Sequence, residues 1–106
     1  MAQAFVNSNI QSGKVVVFIK PTCPYSRGTQ ELLSQLPFKQ GRSEFVNITA
    51  NGDTNEIQDY LQQLTGARPV PRVFIGKECI GGSTDLVNMH ERGELLTRLK
   101  QIGALQ

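Results

Sequence analysis

Residues 14–26 read KVVVFIKPTCPYS. Five apolar residues, Val15 to Ile19, stand between two lysines. A short run of this kind, rich in Val and Ile, predicts a strand buried on both faces. Pro21 interrupts it, and a helix is expected to open near Cys23-Pro24. Proline suits a first helical position, where its missing N–H would have had no intrahelical partner. That helix is expected to pass through Leu32, Leu33 and Leu36 and to stop before Pro37. A lone cysteine is thereby placed where a buried strand hands over to a helix.

Glu44 to Ile48 reads as a second, shorter strand. Asp53 and Glu56 have the spacing of a capping box, and Ile57, Leu61 and Leu64 then mark one helical face that Gly66 ends. Val70 to Ile75 leads into a third strand, Gly76-Lys77 is a turn, and Glu78 to Ile80 is its antiparallel partner. Gly81-Gly82 feeds a helix through Leu86 to Glu91, and another covers Glu94 to Ile102. The predicted order is β-α-β-α-β-β-α, the last α broken near Gly93. A strand–helix–strand opening gives a parallel pair and the closing hairpin an antiparallel one. The expected fold class is α/β, a small mixed sheet with helices on both faces.

Residues 1–106 suffice for one domain, with a radius of gyration of about 13 Å. The net charge is +2, from eleven Lys plus Arg against nine acids, and no basic run occurs, so no nucleic-acid partner is expected. The apolar run Val15–Ile19 falls far short of the ~20 residues that span a bilayer. Met1-Ala2-Gln3-Ala4 lacks a basic segment leading into an apolar stretch. These features predict a cytoplasmic protein without membrane association, its two cysteines, Cys23 and Cys79, reduced.

A thiolate at a helix N-terminus meets unpaired N–H groups and about half a unit of positive charge. Lys20 adds to that potential. Such settings lower a thiol pKa from ~8.5 into the range ~3.5–7.5. Intrinsic nucleophilicity falls as the pKa falls, while leaving-group ability rises. Repeated loading and unloading by thiol–disulfide exchange suits such a sulfur. Position alone leaves open whether Cys23 is reactive or an inert buried residue. Zinc is not expected, because two cysteines and His90, widely separated, lack paired ligand spacing. His90 reads as a solvated helix residue and Cys79 as a small core or edge side chain.

KPTCPYS, ARPVPRVFIG and ECIGGSTDL, in this order, resemble glutaredoxins, a family with the thioredoxin-like fold: a four-stranded mixed β-sheet flanked by helices on both faces. NEIQDYLQQLTGAR and GELLTRLKQIGALQ look like its cytosolic mammalian members, and the resemblance spans essentially the whole chain. It implies glutathione-dependent reduction of protein–glutathione mixed disulfides, with Cys23 as nucleophile, glutathione as co-substrate, glutathionylated proteins as partners and a monomer as the working form. It further implies that Pro71 follows a cis peptide bond and turns the Val70 backbone toward the glutathione cysteinyl unit. Lys20, Gln58 and Arg68 match positions that hold the glycyl carboxylate. Gly82, Ser83, Thr84 and Asp85 match the turn and helix start that receive the γ-glutamyl end, and Thr22, Pro24 and Tyr25 the active-site turn. Without the resemblance, Lys20 and Arg68 read as solvated charges and Asp85 as a helix cap.

The chain departs from the pattern at Ser26, where close members carry a second cysteine. A serine cannot resolve a disulfide, but its hydroxyl can donate to the Cys23 thiolate. The dithiol route is expected to be lost and the monothiol route, which needs only Cys23, to remain. Ser83 stands where cytosolic mammalian relatives often carry cysteine, and Pro69 where threonine is usual. Two other functions compete: a glutathione-ligated [2Fe–2S] carrier, which Pro24-Tyr25 beside the thiol disfavours, and a redox-silent adaptor that binds glutathionylated partners.

Overall fold

A computed structural model describes residues 1–106. Its elements, in chain order, are α1 (Ala2–Asn9), β1 (Val15–Ile19), α2 (Pro24–Ser34), β2 (Ser43–Asn47), α3 (Thr54–Thr65), β3 (Arg72–Ile75), β4 (Glu78–Gly81), α4 (Ser83–Glu91) and α5 (Glu94–Gln101). The radius of gyration is 12.9 Å. No helix is long and apolar enough to cross a membrane.

The four strands lie in the order β2-β1-β3-β4. β1 runs parallel to β2 and antiparallel to β3, and β3 is antiparallel to β4. All five residues of β1 are buried, as the apolar run predicts for an interior strand. Alternation along β1 sends its side chains to two cores. Val15, Val17 and Ile19 join Val73, Ile75, Leu33 of α2, Leu86 of α4 and Leu95 and Leu99 of α5. Val16 and Phe18 join Phe74, Val46, Val6 of α1 and Ile57 and Leu61 of α3. The mixed sheet with helices on both faces is therefore the observed architecture.

Two elements differ from the sequence reading. α1 was not expected: its only buried residue is Val6, so its pattern is too weak to mark a helix. It forms by packing on α3, where the Tyr60 hydroxyl donates to Asn7 Oδ1 at 2.8 Å. The capping box at Asp53 is not made. Asp53 is the N-cap of α3 but gives no side-chain cap bond, its Oδ1 is buried without a partner, and the Thr54 hydroxyl donates back to Ile48 O at 3.1 Å. β2 begins one residue earlier than expected and β3 two residues later, after the Val70-Pro71 pair.

Candidate functional site

The antiparallel pairing of β3 with both β1 and β4 brings three chain segments to one end of the sheet. They are the turn after β1, the loop before β3 and the turn between β4 and α4. Cys23 is the N-cap of α2, with extended backbone, and Pro24 takes the first helical position. The Cys23 N–H donates to Lys20 O at 2.9 Å, closing the turn that lifts the thiol onto the helix start.

The environment pulls the Cys23 thiol below its ordinary pKa. The Ser26 N–H is the largest cause; partial desolvation opposes it; the Tyr25 N–H, the Ser26 hydroxyl and the charge of Lys20 add to the lowering. Ser26 is fully buried, and its Oγ also accepts the Lys20 N–H at 3.3 Å. With one hydrogen to give and lone pairs to accept, the hydroxyl links the end of β1 to the sulfur. Cys79 behaves oppositely. It sits half-buried on edge strand β4, and burial pushes its thiol up.

Beside the thiol turn lies a cleft of about 230 Å³, lined by Tyr25, Pro69, Val70, Pro71, Arg72 and the run Gly82 to Asp85. Val70-Pro71 is a cis peptide bond. The Val70 N–H and C=O have no backbone partner, which leaves a strand-like edge facing open space. Across the cleft α4 begins at Ser83, and Asp85 Oδ2 accepts the Gly82 N–H at 2.9 Å. Tyr25, 68% exposed, stands over the mouth.

The structure thus brings together Tyr25, Val70, Pro71, Gly82, Ser83, Thr84 and Asp85. Lys20, half-buried, acts on the sulfur through its charge but does not line the cleft, and Thr22 and Pro24 lie exposed on the turn. Gln58 and Arg68 are outside the lining as well. Gln58 is buried, and its Nε2 donates to Arg68 O at 3.3 Å, so it holds the loop rather than presenting a free amide. The Arg68 guanidinium donates from Nε to Asp59 and from Nη2 to Asn55, both at 3.1 Å, which leaves Nη1 free. His90 is exposed near the end of α4, away from the cleft. Arg72, which the sequence reading passed over, does line the cleft. Its signal was a single charge inside the otherwise apolar run Val70 to Ile75.

A family model described as Glutaredoxin matches residues 15–80. The chain belongs to the glutaredoxin family. By that membership it is a thiol–disulfide oxidoreductase. Glutaredoxin-1 of Bos taurus is 86% identical over 106 residues, covering 100% of both chains. Glutaredoxin-1 of Homo sapiens is 77% identical with the same coverage. Among solved structures, a buckwheat glutaredoxin–glutathione complex superposes with a TM-score of 0.90 at 33% identity, over 100% of this chain and 94% of that one. The glutaredoxin match includes Cys23, the Val70-Pro71 pair and β4 up to Ile80, while α1, α4 and α5 lie beyond the residues of the family model.

Proposed function

We propose that this glutaredoxin reduces protein–glutathione mixed disulfides by a monothiol cycle in which Cys23 is the only exchanging sulfur. The observation that carries the reading is the acidified Cys23 thiol at the N-terminus of α2 beside a cleft with an unpaired backbone edge. The glutathione complex of the buckwheat relative supports the choice of ligand.

The Cys23 thiolate attacks the glutathione sulfur of the mixed disulfide. The S–S bond breaks, the electron pair leaves on the protein sulfur, and that protein thiol is restored. Cys23 is now disulfide-bonded to glutathione. A second glutathione, as thiolate, attacks the glutathione sulfur of this intermediate. Oxidised glutathione leaves and the Cys23 thiolate returns. Each turnover consumes one glutathione thiol: its sulfur is oxidised to the disulfide level as the protein sulfur returns to thiol, and the substrate's own glutathionyl sulfur stays in a disulfide throughout. The Ser26 and Tyr25 N–H groups stabilise the thiolate both as resting nucleophile and as leaving group.

The Val70 N–H and C=O would pair with the cysteinyl backbone of glutathione as one strand edge pairs with another. The glycyl carboxylate would go toward Lys20 and the free Nη1 of Arg68, with Gln58 holding the Arg68 loop. Thr84 and the first N–H groups of α4 would face the γ-glutamyl end. Ser26 excludes an internal disulfide, so the glutathionyl intermediate has no competing exit. The protein works as one domain in the cytoplasm, as a monomer.

Reduction of a glutathionylated peptide by glutathione, coupled to glutathione reductase, tests this. Turnover that vanishes in Cys23→Ser is the expected result, with Ser26→Cys no more than modestly faster. Absence of turnover in the parent chain, or a much faster Ser26→Cys, would overturn the monothiol reading.

A further inference from the structure

Residues 14–30 carry Lys14, Lys20 and Arg27 and no acid; the first carboxylate after them is Glu31. α2, which bears Cys23 at its start, has no acid in its first turn, whereas α3, α4 and α5 carry Glu56, Asp85 and Glu94 there. Arg27 instead puts a cation at the fourth helical position. A positive charge near a helix N-terminus opposes the macrodipole, so it does not stabilise α2.

The rest of the chain does not use that charge either. Arg27 is exposed and pairs with no carboxylate, whereas Arg68, Arg92 and Arg98 each hold one, at 3.1, 2.9 and 2.7 Å. Glu31 lies four residues on, but a base ahead of an acid is the weaker order for a helical pair, and none forms. The charge that acts on the Cys23 thiol is that of Lys20, so thiol activation does not account for Arg27. Arg27 does not line the cleft beside the thiol. Gly28, next to it, is exposed, and a Cβ there would meet nothing within 4 Å, so the surface beside the guanidinium lies open.

We propose that Arg27 is a specificity-determining residue that selects, among glutathionylated proteins, those with acidic residues beside the modified cysteine. The assignment rests on the glutathione reading above and names a substrate class for it. With glutathione in the cleft, the protein half of the mixed disulfide has to cover the exposed surface around the thiol: Thr22, Pro24 and the outer face of α2. Arg27 stands on that face one helical turn from Cys23. A carboxylate on the incoming segment meets a guanidinium with no competing partner, and the planar fork can take both of its oxygens. A basic segment meets Lys20 and Arg27 with no acid between them.

Two glutathionylated peptides test this, alike except for Asp or Asn on both sides of the single cysteine. Each kcat/KM is divided by the rate of the uncatalysed reaction with glutathione, which removes the effect of the neighbours on the sulfur itself. The parent chain is expected to favour the Asp peptide about threefold at low salt, the scale of one exposed ion pair. That preference should fade toward 1 M salt, where the Debye length falls to about 3 Å. Arg27→Gln is expected to abolish it and Arg27→Glu to reverse it. Equal rates for both peptides in the parent, or a preference that survives Arg27→Gln, would overturn the role of Arg27. The mixed disulfide of glutathione with 2-mercaptoethanol, whose second half carries no charge, separates the two readings. Absence of turnover on it and on both peptides would overturn this assignment and the glutathione reading together, whereas turnover without charge preference overturns this assignment only.

Discussion

The donors around the Cys23 sulfur all come from Tyr25 and Ser26, with Lys20 adding charge. Alkylation by iodoacetamide should therefore rise with pH around a midpoint below the ordinary thiol value of about 8.5. Ser26→Ala removes the hydroxyl donor but keeps the Ser26 N–H position, so the midpoint should move up without reaching that of a free thiol. An unmoved midpoint would show that the hydroxyl contributes nothing. The same lowering links stability to pH. Between the lowered folded pKa and about 8.5 the unfolded chain holds a proton on Cys23 that the folded chain has released, so stability from this group grows with pH. It is fully present above the unfolded value and lost as pH falls through the folded one. At residue scale the thiol turn was legible because its parts are contiguous. Arg72 was not, because its place on the cleft depends on the room left at Gly82, ten residues on. Gln58 matches a ligand position only through the family resemblance, and residue order does not show that its buried amide also donates to the Arg68 carbonyl.

Elements show the same division. β1 announced itself by five consecutive apolar residues, and α2 by a proline at its first turn. α4 starts after a diglycine turn whose geometry is demanding, with Gly81 at φ +118° and Asp85 folded back onto it. Gly81→Ala should destabilise the protein by about 1–3 kcal/mol through backbone strain, beyond any displacement of Asp85. It should also slow turnover, because the start of α4 shifts. Chemical denaturation read beside the glutathione-coupled assay checks both; a change within about 0.5 kcal/mol, the range of an ordinary surface substitution, would count against this account. α1 and the uncapped start of α3 are the counterexamples. The first lacks a clear apolar stripe, and at the second the right residue types stand at capping spacing while the carboxylate makes no cap bond.

Across the whole molecule, the sheet separates two cores that meet only through its strands. Phe18 and Phe74 pack edge to face on the α1/α3 side, with ring centroids 5.8 Å apart at 85°. Phe18 is fully buried, so Phe18→Ala should cost about 3–5 kcal/mol. The pH midpoint of Cys23 alkylation should stay where it is as long as the variant is folded, because the donors to the sulfur lie in α2 rather than in this core. A lowered melting temperature with an unchanged midpoint is the expected pair of results. A moved midpoint would mean that the core sets the geometry of the thiol turn.

What residue order determined by itself was everything carried by short-range pattern: the buried strand, the helix start with its cysteine, the closing hairpin, the family resemblance and the loss of a second thiol at Ser26. These depend on steric and hydrogen-bonding preferences within a few residues. Tertiary structure alone decided the rest. It created α1 by offering Val6 a place against α3, and it tied Gln58 and Arg68 to partners on α3 and its following loop while leaving Arg68 Nη1 free. It also set Arg72 across Gly82 without an acceptor. The physical reason is common to all three: burial and the pairing of polar groups are settled between segments far apart in the chain, and residue order does not state which segments will meet.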